Sequence, residues 1–373
     1  MNILIAPNAF KNSLSADKAA EAIGRGLQKS ELVCSTTLFP IADGGDGTAD
    51  LLIQHLQGRW IEAEVHDPLG RTVASSFGMI GTDTAVIELA KASGLRLLKA
   101  HEYDPLHATT YGTGELIKAA LDHNVSRIIL CIGGSATVDG GSGMLQALGI
   151  RFLDAGGRDL NKLPASLLEL GSVVVRPIEW LNNVELIVLC DVENPLLGGQ
   201  GAAAVFGPQK GASENDVAVL DKCLRQLRDV VLQQTGNDMN LVKHGGAAGG
   251  IAAALHAFFN ARLVNGIDYF LEATGFAAAL KKTDLVITGE GSLDDQTLHG
   301  KGPFGVAKKS KDFFIPVIGM AGKISSTKVL SAWFDQLIDI NANDPDKENI
   351  LKNTAANLEK TAYELGRRIA VRK

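Results

Sequence analysis

Seven short, nearly continuous apolar runs, each closing on a Gly- or Asp-rich turn, restrict the possible folds of this chain more than any other feature. They occupy residues 3–6, 37–41, 127–132, 185–190, 284–288, 315–320 and 336–340. Runs of four to eight Ile-, Leu- and Val-rich residues are the pattern of strands buried on both faces of a parallel sheet. Helical periodicity lies between them. Residues 15–29 open on a capping Ser15 and place Ala20, Ile23 and Leu27 on one face; residues 113–123 carry Leu116, Ala119 and Ala120 at core spacing. This alternation predicts an α/β fold with crossover helices.

A second texture interrupts the first. Residues 60–98 alternate with period two around a turn at 68–70, which predicts antiparallel strands or hairpins. Residues 173–175 and 202–206 read as further short runs outside the parallel series. With 373 residues the chain is long for one core and comfortable for two. Two α/β domains follow: a discontinuous one of residues 1–60 and 285–373, and an inserted one of 61–284. The runs at 127 and 185 fit either. Residues 346–373 read as a surface helix of mixed charge.

Composition removes several classes. A net charge of -6 argues against a nucleic-acid partner, since phosphate backbones are held by an excess of Lys and Arg. No stretch approaches about 18 uninterrupted apolar residues, so no spanning helix and no membrane partner is expected. The first residues lack the basic, apolar and small-residue succession of a signal peptide. Four cysteines, Cys34, Cys131, Cys190 and Cys223, have no CxxC pairing, which points to a reducing, cytoplasmic setting. Aromatics at 5% beside 41 glycines suit an enzyme with many tight strand-to-helix turns.

Five strand-end loops share small residues, a carboxylate and often a Lys or Ser, and ligands of open α/β folds gather at the carboxyl ends of strands. The first, Ala6 to Ser15, offers Lys11 as a cation and Ser13 or Ser15 as a helix cap; a capped helix with a solvated lysine is the alternative. The second, Ile41 to Thr48, sets Asp43 and Asp46 around a Gly pair. Like charges so close call for a cation or a bound hydroxyl, and the alternative is a turn with Asp46 capping the next helix. The third, Ile132 to Gly143, can cradle phosphate oxygens on successive N–H groups. It matches neither a Walker loop nor a dinucleotide fingerprint, and Asp139 is its odd element. The fourth carries Asp191 at the tip of an apolar strand and Lys210 in a Pro-Gln-Lys-Gly turn; either could be half of a structural ion pair. The fifth, Thr288 to Pro303, is the most site-like: a strand ends in Gly289-Glu290-Gly291, followed by Asp294, Asp295, Gln296, Thr297 and Lys301.

The strings APNAFKNSLSA, PIADGGDGTAD, DPLGR, GGSATVDGGSGM, CDVENPL, GAAAVFGPQKGA, GAAGG and LVITGEGSLDDQTLHGKGP resemble the bacterial glycerate kinase family over nearly the whole chain. The resemblance implies two dissimilar α/β domains around a cleft, one with a mainly parallel Rossmann-like sheet and the other with a mixed sheet. It also implies phosphorylation of D-glycerate by ATP with Mg²⁺, with 2-phosphoglycerate favoured as product. The chain departs from the family pattern in having Asn8-Ala9 where Asp-Ser is usual, and Asp46 where Glu is more common. Asp295 and Gly302 also depart from it.

Phosphoryl transfer asks for positioning, charge neutralisation and a carboxylate to receive a proton. The expected catalytic groups are Asp43, Asp191, Lys11 and Lys210. Asp43, Asp139, Asp191 and Glu290 are the expected Mg²⁺ ligands. Nucleotide binding falls to Gly133, Gly134, Ser135, Gly289, Glu290 and Gly291, and substrate binding to Asp294, Gln296, Lys301 and Arg71. Which carboxylate is the base stays open, as does the oligomeric state. The runner-up is a catalytically silent nucleotide- or sugar-acid-binding sensor on the same fold.

Overall fold

The computed structural model describes residues 1–175, 183–295, 297, 300–325, 327–342 and 349–371. The chain begins with β1 (Asn2–Ile5), α1 (Ala16–Lys29) and β2 (Ser35–Leu38). Next come α2 (Thr48–His55), β3 (Arg59–His66), β4 (Thr72–Ile80), β5 (Thr84–Glu88) and the short α3 (Ala90–Ser93). The middle holds α4 (Tyr111–Leu121), β6 (Arg127–Cys131), α5 (Ser142–Ala147), β7 (Arg151–Asp154), β8 (Leu170–Val174) and β9 (Glu185–Cys190). After these run α6 (Ala202–Phe206), α7 (Glu214–Thr235), α8 (Ile251–Phe259), β10 (Arg262–Asn265), α9 (Gly266–Ala273) and α10 (Phe276–Leu280). The chain closes with β11 (Leu285–Leu293), α11 (Gly302–Asp312), β12 (Val317–Ile324), α12 (Thr327–Leu330), β13 (Gln336–Asp339) and α13 (Ile350–Val371).

These elements form two compact α/β units, residues 1–43 with 266–373 and residues 44–265. The first is built on an all-parallel sheet in the order β13-β12-β11-β1-β2. Ile3, Ile5, Ile287 and Met320 join Ile23 and Leu27 of α1 and Leu358 and Leu365 of α13 in one core. The intervening Leu4 and Val286 are buried too, and by the period of two they face the other way. A strand covered on both faces reads as an unbroken apolar run, which is why these strands were visible in sequence. The last helix is more than a surface helix. It packs so closely on α1 that a Cβ on Gly26 would lie 2.2 Å from the carbonyl oxygen of Glu359.

The second unit carries a mixed sheet, β10-β9-β6-β5-β4-β3. β10, β9, β6 and β5 run parallel, while β4 lies antiparallel to both β5 and β3. The hairpins expected in 60–98 are therefore β3–β4 and β4–β5, with β5 then joining the parallel series. β8 pairs antiparallel with β7 in a small separate ladder. Residues 202–206 are a helix rather than a strand-like run: three consecutive alanines favour helix, and Gly207 N–H closes the turn onto Ala203 O at 2.9 Å.

The unit borders fall at 43/44 and 265/266 rather than near 60 and 285. Buried Leu51, Leu52 and Ile53 anchor α2 beside the sheet of the second unit, and Gly305 of α11 abuts Ile267 of α9 within the first. Among the described residues, no helix is long and apolar enough to cross a membrane.

Candidate active site

In the first unit, the carboxyl ends of β1, β2 and β11 bring several predicted residues together. Asp43 follows β2. Its Oδ2 accepts from Asn8 Nδ2 at 2.8 Å and from the backbone N–H of Gly302, the first residue of α11, at 3.3 Å. A carboxylate at that end of an eleven-residue helix is favoured by the exposed N–H groups. Asn8 is itself fixed: its N–H donates to Gly289 O, and its Oδ1 accepts from Ala9 N–H.

Glu290 is 7% exposed, and burial pushes its carboxyl up to about 8. The charges of Asp43 and Asp294 push the same way, against the pull of Lys301 and Lys11. Its one described hydrogen-bond donor, the Thr297 hydroxyl, lies at a long 3.5 Å. Glu290 is thus a buried carboxyl with little to hold its charge except two lysines. The Thr297 hydroxyl accepts from Asp294 N–H at 3.0 Å, and Ser292 Oγ donates to Asp294 Oδ2 at 3.4 Å. Gly289, Glu290 and Gly291 do not form a loop after the strand. β11 continues through them to Leu293, because β12 extends alongside and pairs Glu290 with Ala321 and Ser292 with Lys323. Gln296 lies outside the described residues.

The second unit treats its carboxylates differently. Asp139 is completely buried. Its Oδ2 accepts from Thr110 N–H (2.9 Å), Thr110 Oγ1 (2.6 Å) and Gly143 N–H (3.2 Å), and its Oδ1 from Gly141 N–H (3.0 Å). Burial raises its pKa, and these four donors pull it back. With its oxygens so engaged, Asp139 staples the loop to the start of α4, a different duty from the metal ligation expected of it. Lys210 is also buried, and its ammonium donates to Ser135 Oγ at 2.7 Å and Thr137 O at 2.6 Å. Burial lowers it to about 7 while the charge of Asp139 acts in the opposite sense. Lys210 therefore braces the 133–143 loop from within instead of presenting a cation to a phosphate. Gly133 N–H is bonded to Gly44 O, and Ser135 Oγ is held by Lys210. A Cβ on Gly134, whose φ is +73°, would sit 1.9 Å from Asp46 Oδ1. The two glycines allow loops 44–47 and 133–135 to touch.

Glu88, at the end of β5, went unnoticed as a site residue. It is fully buried and accepts from Gly47 N–H, Ala49 N–H and Arg96 Nη2 at 3.0–3.1, 3.2 and 2.9 Å. It supplies the anion at the start of α2, so Asp46 caps nothing there. A lone carboxylate closing the apolar run AVIE was the available signal, since a buried charge demands partners. Asp191 stands half-buried after β9. Arg71 is committed to Asp67 Oδ2 at 2.5 Å and Glu102 Oε1 at 2.6 Å, which leaves its guanidinium tied to protein rather than presented to substrate.

Residues 3–370 match the model of the glycerate kinase family. The chain is 46% identical over its whole length to the glycerate kinase of Bacillus subtilis (strain 168), covering 99% of that protein. The chain belongs to the glycerate kinase family. It is also 44% identical to the glycerate 2-kinase of Escherichia coli (strain K12), with 87% of this chain and 86% of that protein aligned. A crystal structure of a protein assigned as glycerate kinase 2 from Salmonella typhimurium LT2 superimposes with a TM-score of 0.84. It is 41% identical and covers 100% of this chain and 98% of that one. The enzyme is accordingly a kinase, with glycerate and a nucleotide as its small-molecule partners.

Proposed function

We propose that this kinase transfers the γ-phosphate of ATP to a hydroxyl of D-glycerate, with 2-phosphoglycerate as product. The observation that carries the chemistry is the pair Asp43 and Glu290 in the first unit, two carboxyls whose charges oppose each other and which are flanked by Lys11 and Lys301. An attacking hydroxyl needs a nearby carboxylate to receive its proton, and Asp43 is the residue we assign to this role. Lys11 and Lys301 neutralise phosphate or acceptor carboxylate, while Asp294 orients acceptor hydroxyls. Asp191 is a second candidate base in the other unit. Gly291 lets a nucleotide approach the backbone of β11, while Gly289 makes room for the Met320 carbonyl of β12. Gly134, held in loop 133–143 by Lys210 and Asp139, is assigned to a nucleotide phosphate.

The donor set fits Mg²⁺. That ion commonly uses one or two protein carboxylates and completes its shell with water and substrate phosphates. Among the described residues no group of three or more His, Cys, Asp or Glu side chains could hold a metal by itself. Asp43 and Glu290 would hold the ion, which would supply neutralisation of the transferring phosphoryl charge. Buried Cys131, Cys190 and Cys223, present as thiols, agree with a reducing, cytoplasmic setting. A silent sensor is not favoured, since the named relatives are kinases.

The test is ADP formation by purified enzyme with D-glycerate and Mg²⁺, followed by phosphorus NMR of the product. Turnover no greater than with ATP alone overturns the activity, and a 3-phosphate signal overturns the regiochemistry. Asp191→Asn lowers kcat by about 10² if it is the base; wild-type kinetics in that variant reassign it to structure.

A further inference from the structure

The DPLGR turn between β3 and β4 is not used by the phosphoryl-transfer reading, yet it is built with care. Asp67 is almost completely buried and accepts from Leu69 N–H, Arg71 N–H and Arg71 Nε, so one carboxylate freezes the turn. Pro68 O accepts from Thr109 N–H at 2.9 Å, tying the turn to the approach of α4. β3 and β5 both run antiparallel to β4 and hence in the same direction. The turn after β3 therefore lies at the carboxyl edge of β5, β6 and β9, the edge where open α/β sheets bind ligands.

A cavity of about 620 Å³ opens at this turn, wholly within the second unit. Its lining includes the polar side chains of His66, His107, Tyr111, Gln146, Asn161 and Lys162. His66 Nδ1 faces Glu115 at 2.9 Å, and His107 Nδ1 faces Asp104 at 2.7 Å. An ionised carboxylate only accepts, so each Nδ1 carries a proton, and in the neutral ring Nε2 is left as an acceptor. The His66 ring is held further by an edge contact with Tyr111, centroids 5.8 Å apart. Among the described residues, neither Nε2, nor the Tyr111 hydroxyl, the two amides or the Lys162 ammonium has a protein hydrogen-bond partner. The nearby carboxylates are all engaged: Asp67 and Glu102 by Arg71, Glu115 by His66, Asp104 by His107. Among the described residues lining the cavity, Lys162 is the cation left over.

We propose that this cavity is a binding site for a small polyhydroxy carboxylic acid, separate from the residues assigned to phosphoryl transfer. Lys162 and the amide N–H groups of Gln146 and Asn161 take the carboxylate. The two imidazole Nε2 atoms and Tyr111 take hydroxyls. The volume lies within the range of small-molecule pockets and exceeds what a three-carbon acid fills, so a longer sugar acid suits it better.

Sodium gluconate, sodium acetate and glycerol, titrated separately into the full-length enzyme, test this through the ring NMR signals of His66 and His107, assigned with His66→Gln and His107→Gln. Gluconate shifts both rings saturably. Acetate, which lacks hydroxyls, and glycerol, which lacks charge, bind at least about tenfold more weakly, each losing part of the hydrogen-bonded set. Lys162 is exposed, so Lys162→Met removes no buried contact; it keeps the wild-type melting temperature and weakens gluconate by about tenfold or more. Three results overturn the site: no saturable ring shift with gluconate, acetate or glycerol binding as well as gluconate, or an unchanged gluconate affinity in folded Lys162→Met.

Discussion

Asp43 and Glu290 in the first unit and Glu88 and Asp139 in the second are the same kind of residue, a carboxyl within or following a strand of a parallel pairing. Their surroundings separate them. Glu88 and Asp139 are ringed by backbone N–H groups, a hydroxyl or a guanidinium and hold loops in shape. Among the described residues Asp43 accepts from an amide and one backbone N–H, and Glu290 from one distant hydroxyl, while two lysines lie close enough to act on Glu290. A saturated carboxylate is structure. An under-satisfied one beside cations is poised for a ligand, because the missing partners must come from outside.

The contrast breaks most visibly under substitution. Asp43→Asn and Glu290→Gln are expected to lower kcat by about 10² or more with little change in melting temperature; a large loss of stability with near-normal kcat would put them in the structural class. Asp139→Asn should do the reverse. It points an amide N–H₂ at donors that need an acceptor and costs about 3 kcal/mol in chemical denaturation. A fully stable variant would refute the staple.

pH sharpens the same comparison. Glu290 is raised to about 8, so in the free enzyme its charged form appears only as pH passes that value. kcat/KM for ATP should rise through about pH 8, and the rise should vanish in Glu290→Gln. Lys210 behaves oppositely in stability. Its folded pKa of about 7 lies below the ordinary lysine value of 10.5, so between these values the unfolded chain binds the extra proton and stability increases with pH. Urea unfolding at pH 7 and pH 9 should show that increase in the wild type and lose it in Lys210→Met. The smallest effect is expected from Asn8→Asp, which places a carboxylate where an amide now donates to Asp43 at 2.8 Å. Added negative charge there should move the kinetic rise to higher pH, and an unmoved midpoint would separate residue 8 from the pair.

Much of this was legible beforehand. Glu185–Cys190 stands where the apolar run placed it, and the fifth segment carries Glu290 within β11, with the charges of Asp294 and Lys301 acting on it. What the sequence leaves out has one cause. Reading Asp139 as a metal ligand and Lys210 as a phosphate cation takes each charge without its partners. The donors that satisfy Asp139 begin 29 residues away at Thr110, and Lys210 reaches 75 residues back to Ser135.

By itself, the sequence determined the strands, the parallel order of chemistry at their carboxyl ends and the family, since apolar periodicity and long local motifs are properties of contiguous residues. Only the tertiary structure decided which buried charges are holding loops and which are waiting for a ligand. That distinction depends on hydrogen-bond partners brought in from distant segments, and no local pattern records them.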